Sequence, residues 1–255
     1  MARLKKLRKL ILSWGVILNK FVFIVPAFNA ASTIQQMLLS VISQSYSNWR
    51  IIIRDDMSTD GTPQFIENIV NVFGLNDRIS LTVNKEKHWE VRNIVEALKE
   101  CHDDEIVCRL DGDDWLCDLD ALMIINERYL RLNVDALWTA HRWDFSNQNI
   151  SGPMPRNANP YAHPWVSSHL KTFRKKLINE VSDLNFRNED GEYFKRIGDQ
   201  AIYLPVLHNA NGNWYFDPIV AYHYTIDVQP STFQTPDALF QRDEAIYLRK
   251  RGFIK

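Results

Sequence analysis

Short apolar runs alternate with stretches of helical period through the first half of the chain. KFVFIV (20–25) is apolar, β-branched and aromatic and stops at Pro26, which predicts a buried strand. AASTIQQMLLSVISQ then repeats Ile34, Leu38 and Ile42 at helical spacing, with Asn29 or Ser32 as N-cap. RIIIR (50–54) predicts a second buried strand that ends in DDMSTDGT. Thr62 followed by Pro63 reads as the cap and first-turn pair of a helix that Gly74 closes. ISLTV reads as a third strand, VRNIVEALKEC as a third helix, and EIVCRL as a fourth strand running into DGDDWL.

Strands alternating with helices through short links predict an α/β fold, a mostly parallel sheet flanked by helices on both faces. Ligands of such sheets gather at the carboxyl ends of the strands, where Pro26 to Asn29, Asp55 to Asp60 and Asp111 to Asp114 form three polar loops along one rim. Beyond about residue 135 the pattern loosens. ALWTAHRWDF reads as a strand, an Asn/Pro-rich loop follows, GDQAIYLPVL reads as an apolar helix opened by Asp199, and VAYHYT as a late strand. With 255 residues, the expectation is one domain over 20–255, with 20–120 and 121–255 as its two halves, after a separate segment over 1–19.

Charge changes the picture at the start. The first 54 residues hold eight Lys and Arg and no acid, so the formal net charge of −1 divides into +8 there and −9 in the remainder. Within 1–19, Leu4, Leu7, Ile11, Trp14 and Leu18 recur at helical spacing between basic residues. Such a helix suits either peripheral contact with an anionic membrane or packing on the domain itself. Its apolar run is too short to span a bilayer. Basic residues confined to one segment argue against nucleic acid. Three cysteines, Cys101, Cys108 and Cys117, without C-x-x-C spacing suit a reducing, cytoplasmic setting.

Asp111, Asp113 and Asp114 pack three carboxylates into four positions, which repel unless a cation or strong donors lie between them. Gly112 permits a tight bend, so Asp111 and Asp113 can approach one point and suit Mg²⁺ or Mn²⁺ held together with a substrate phosphate. A solvated acidic turn capping the next helix is the alternative.

FVFIVPAFNAASTI, IIIRDDMSTDGT, VRNIVEAL and RLDGDDWL, in this order and spacing, resemble the family 2 glycosyltransferases of GT-A fold. The resemblance covers roughly residues 20 to 120. It implies a nucleotide-diphosphate sugar donor, UDP-sugar favoured, with Pro26, Ala27 and Phe28 against the base and Asp55 and Asp56 on base and ribose. An Asx-rich turn is a second role for Asp55 to Asp60. Met57 stands where the family commonly has glycine, and Arg54 where an aliphatic is common. Arg92, paired with Asn93, is implied at the diphosphate or the acidic loop, with a solvated helix charge as the alternative. Asp111 and Asp113 are implied as metal residues and Gly112 as part of the donor site. Asp114 is expected to cap or support, and His223 is a candidate third metal ligand.

The family also supplies a base from an acidic residue opening a helix in the second half. Asp199 matches, ahead of Glu189 and Asp190, and a helix start favours the charged carboxylate. His169, Lys171 and Arg174 form a polar stripe near the expected acceptor side, where Lys171 or Arg174 would meet phosphate or the stripe is a surface strand edge. Trp138, Trp143, Trp165 and Trp214 are sugar-stacking or core residues. The function implied is metal-dependent, inverting sugar transfer to a hydroxyl of a glycan, lipid or protein. An inactive sugar-nucleotide binding module is the alternative. A nucleotidyltransferase would want a glycine-rich loop that PAFNAAST lacks.

Overall fold

The structure, a computed structural model, describes residues 18–144, 146, 148–225 and 236–255. The basic segment expected over 1–19 lies outside them except for its last two residues. In chain order the elements are β1 (Lys20–Ala27), α1 (Ile34–Ile42), β2 (Trp49–Asp55), α2 (Thr62–Phe73), β3 (Ile79–Val83), α3 (Trp89–Leu98) and β4 (Glu105–Arg109). There follow β5 (Trp115–Leu116), α4 (Ala121–Leu132), β6 (Ala136–Trp143), β7 (Lys171–Arg174), α5 (Gly198–Ala210), β8 (Trp214–Tyr224) and α6 (Pro236–Arg251). Among the described residues no helix is long and apolar enough to cross a membrane.

The strands form one sheet in the order β3-β2-β1-β4-β7-β6-β8-β5. The first four are mutually parallel, β7 runs antiparallel to both its neighbours, β6 and β8 are parallel, and β5 is antiparallel to β8. Period-two alternation in β1 sends Phe21, Phe23 and Val25 into one apolar layer with Ile34 and Leu38 of α1 and Leu122 and Tyr129 of α4. Val22 and Ile24 enter the other, against Val91 and Ile94 of α3 and Ile202 and Leu207 of α5.

Three local expectations change. Neither Asn29 nor Ser32 caps α1: Thr33 holds the N-cap position, and Asn29, at φ 50°, instead ties two rim loops by accepting from the Thr59 amide at 2.9 Å. Thr62 is the first helical residue of α2, and Asp60 accepts from its amide at 3.0 Å and its hydroxyl at 2.6 Å. The stripe at 169–174 is not a surface edge. β7 lies inside the sheet between β4 and β6, where Phe173 is buried and Thr172 bonds Leu137 O at 3.0 Å. Trp138 and Trp214 are core residues whose indoles donate to Gly152 O and Met154 O.

Candidate active site

The acidic turn follows β4 directly. Arg109, the last residue of that strand, is 2% exposed and reaches Asp111 Oδ1 at 2.8 Å and Glu90 Oε1 at 3.0 Å. Gly112 crosses the end of β1 so closely that a Cβ there would sit 3.3 Å from Ala27 Cβ and 3.4 Å from Pro26 O. Asp114 is buried, with Oδ2 accepting from the Tyr222 hydroxyl at 2.6 Å and Oδ1 from the Thr225 amide at 2.7 Å. It fastens the turn to β8. Burial, then Asp113 and Asp111, push its pKa well up. Asp113 opens to solvent in the concave mouth, where crowding by protein atoms and then Asp111 pushes it up to about 6.

Facing this turn, α5 begins at Gly198 and Asp199 stands in its first turn. Lys171 Nζ, 1% exposed, lies 2.6 Å from Asp199 Oδ1, and His169 Nε2 lies 3.7 Å from Oδ2. Burial raises the Asp199 pKa, but Lys171, His169 and Arg109 more than reverse this and hold it well below the usual carboxylate range. His169 stacks between Tyr222 and Tyr224 at 4.5 and 4.9 Å, and burial with Lys171 lowers it to about 3, a neutral imidazole.

On the opposite wall, Asp56 accepts from the His88 amide at 2.7 Å, the Trp89 amide at 3.0 Å and Asn84 Nδ2 at 2.9 Å, with Lys87 at 3.3 Å. Burial opposes its ionisation, yet these bonds prevail and lower its pKa. They fix the start of α3, where Trp89 sits at φ 60°. Asp55, 0% exposed, accepts from the Ser58 amide through Oδ1, whereas its Oδ2 has no hydrogen-bond partner among the described residues. Met57 adopts φ 68°, the left-handed region that explains why glycine suits that position.

One cavity of about 630 Å³ joins these walls. Of the residues expected from sequence it brings together Pro26, Ala27, Phe28, Asp56, Asp111, Gly112, Asp113 and Asp199. Asp55, Arg92 and His223 are not on its lining. Asp55 lies beside Ala27 in the β1–β2 register, and Arg92 pairs with Glu86 at 3.1 Å. His223 stacks on Trp115 at 3.9 Å and bonds Asp144 and Arg142, so the histidine within reach of Asp111 is His169. Glu189 and Asp190 are exposed and also off the lining. Glu90, Lys87 and Trp89 line the cavity without having been singled out from sequence, and His169, named there only as part of a polar stripe, lines it too; the arginine in the apolar run EIVCRL was the available sign of a buried ion network.

The residues fit a divalent cation. Asp111, Asp114 and His169 offer ligand atoms within 4.8 Å of one another, but both Asp114 oxygens already accept bonds. That leaves Asp111 and His169, with Asp113 next along the turn. Asp111 and Glu90 share Arg109, Asp199 pairs with Lys171, and Lys87, Lys195 and Arg196 also line the cavity, but within the turn Asp111, Asp113 and Asp114 repel one another, a crowding that a hard cation would relieve.

Residues 22–182 match the model of Glycosyl transferase family 2, more than half of the chain. The chain belongs to that family. Among curated family relatives, the Escherichia coli UDP-Glc:alpha-D-GlcNAc-diphosphoundecaprenol beta-1,3-glucosyltransferase WfgD is 44% identical over 197 residues, 74% of this chain and 70% of WfgD. Other curated glycosyltransferases match over 91 to 100 residues, and there the chain spans 17% to 36% of their length. S. aureus TarS 1-349 in complex with UDP-GlcNAc superposes with a TM-score of 0.64 at 21% identity, over 82% of this chain and 59% of that one. Mannosyltransferase PcManGT from Pyrobaculum calidifontis, in complex with GDP-Man and Mn²⁺, gives 0.61 at 18%, over 96% and 69%. At those identities the likeness is one of fold, the GT-A fold expected of family 2.

Proposed function

We propose that this family 2 protein is a glycosyltransferase that moves glucose from UDP-glucose to a hydroxyl of a GlcNAc-diphospho-lipid acceptor, with inversion. The observation that carries the reading is the meeting, across one cavity, of the acidic turn 111–114 and a helix-opening aspartate held ionised by a buried lysine. Donor and acceptor are inferred from the name of WfgD. A β-linked product from an α-linked UDP-sugar is what a single displacement gives.

In this reading the base lies against Pro26, Ala27 and Phe28, and Asp55, buried beside Ala27 and off the lining, supports that wall by holding the Ser58 amide. Asp56 shapes that wall by fixing the start of α3. Asp111 and Asp113 would hold Mn²⁺ or Mg²⁺, with His169 within reach of Asp111. Such an ion supplies Lewis-acid neutralisation of charge on the leaving diphosphate. Asp199 accepts the proton of the acceptor hydroxyl as its oxygen bonds to the anomeric carbon and the bond to the β-phosphate oxygen breaks. Lys171 keeps Asp199 anionic and oriented. Arg92, paired with Glu86 off the lining, is left as a solvated charge. The basic residues of 1–19 would rest on the anionic face of the cytoplasmic membrane that carries such an acceptor; they lie outside the described residues, so this part rests on sequence alone.

The test is release of UDP from UDP-glucose with a synthetic GlcNAc-α-diphospho-lipid, with and without Mn²⁺ or Mg²⁺. Metal-dependent release and a β-linked disaccharide support the proposal. Metal-dependent donor binding without release for any acceptor would favour the inactive module.

A further inference from the structure

We propose that Glu90 is a positioning residue that locks Asp199 to the donor side of the site by capping α5 from another helix. The proposal rests on the reading of Asp199 as the base. The position before α5 is Ile197, which has no side-chain oxygen to cap the helix. The missing acceptor comes from α3, where Glu90 Oε2 takes the Gly198 amide at 3.0 Å. Its other oxygen, Oε1, takes Arg109 Nη2 at 3.0 Å, and the same nitrogen meets Asp111 Oδ1 at 2.8 Å. One continuous chain of hydrogen bonds thus runs from Asp111 through Arg109 and Glu90 to the backbone of the residue before Asp199.

Gly198 is the independent sign that this contact is built. A Cβ there would lie 2.1 Å from Glu90 Oε1 and 2.2 Å from Glu90 Cδ, so the approach of the carboxylate to the helix requires glycine. Glu90 is itself fixed, since it stands in the first turn of α3, whose start Asp56 holds. Burial pushes the Glu90 carboxyl up to about 8, with Arg109 and the Gly198 amide acting against that rise, so the cap is carried by the two bonds themselves, one of them to a cation. Losing the cap loosens the turn that carries Asp199, and displacement of a reacting group by about 1 Å costs on the order of 100-fold in rate.

The experiment compares wild type, Glu90→Ala, Gly198→Ala and the double variant. Turnover is read as UDP release from UDP-glucose with Mn²⁺ and the synthetic GlcNAc-α-diphospho-lipid, and amide hydrogen exchange is read at residues 198–201. Glu90→Ala is expected to lower kcat about 100-fold while KM for UDP-glucose moves less than about twofold, and to speed exchange in that turn. Gly198→Ala alone is expected to do the same by expelling Glu90. The double variant is expected within about twofold of Glu90→Ala, because the added methyl then meets nothing. Additive losses, kcat within about threefold of wild type, or unchanged exchange would overturn the inference. A merely structural Glu90 would lower thermal stability without the split between kcat and KM. Should the wild type release no UDP, the donor and acceptor reading fails, and the exchange measurement still decides whether Glu90 caps α5.

Discussion

Strand β4 enters the sheet at Glu105, which is 1% exposed, accepts from Arg50 through two bonds of 2.7 Å and from the His102 amide at 2.8 Å, and lies 3.0 Å from Lys20. It leaves the sheet into Asp111, Asp113 and Asp114, of which Asp111 shares Arg109 with Glu90, while Asp199 across the cavity pairs with Lys171. Burial raises the pKa of carboxylates at both ends. At the entry, the bonds from Arg50, His102 and Lys20 prevail and leave Glu105 at about 2. At the exit, burial and mutual repulsion prevail for Asp113, at about 6, and for Asp114. One end is a closed ion network. The other keeps unrelieved negative charge facing a cavity, which is the property a cation and a phosphorylated donor would use.

That contrast breaks if substitutions at the two ends have the same consequences. Asp199→Asn is expected to lower kcat by about 1,000-fold, read by UDP release, and also to lower the melting temperature, because the buried Lys171 loses its charged partner. Glu105→Ala is expected to cost stability alone: about 3 kcal/mol lost in denaturant unfolding, with kcat nearly unchanged. The pH dependence sharpens the same point. A folded pKa of about 2 against the ordinary 4.5 means that Glu105 stabilises fully above about pH 4.5 and loses this as pH falls toward about 2. Unfolding midpoints of wild type should therefore fall across that window more steeply than those of Glu105→Gln. Asp113 has the opposite sign: its proton is retained up to about pH 6, so apparent Mn²⁺ affinity should weaken up to about tenfold per unit below that pH. Calorimetric titrations at several pH values check it. The smallest effect is expected for Tyr222→Phe, about 1 kcal/mol from the lost bond to Asp114.

The parallel half was legible because β1, β2 and β4 are buried on both faces, the edge strand β3 keeps apolar Ile79, Leu81 and Val83, and the helices keep period. β1, β2, β3 and β4 all fall on the apolar runs that announced them. β7 was not, since a four-residue strand reading KTFR shows its burial only through partners in β4 and β6, distant in sequence. His223 and His169 illustrate a second limit. Both sit among strand-like residues, and sequence does not say which face each takes; in β8 it is Tyr222 that reaches Asp114, so His223, its neighbour, points away from that face. Glu90 escaped because VRNIVEAL, read from Val91, omits the first turn that Asp56 fixes from a separate loop. Pattern reveals elements and acid clusters, whereas bonds between distant elements decide which acid supports structure and which faces the cavity.

The most direct measurement is calorimetric binding of UDP with Mn²⁺ to wild type and to Asp113→Ala. The account predicts that wild type binds UDP tightly only when Mn²⁺ is present and that Asp113→Ala loses this enhancement while remaining folded. Equal UDP affinity in both proteins, with and without Mn²⁺, would contradict it.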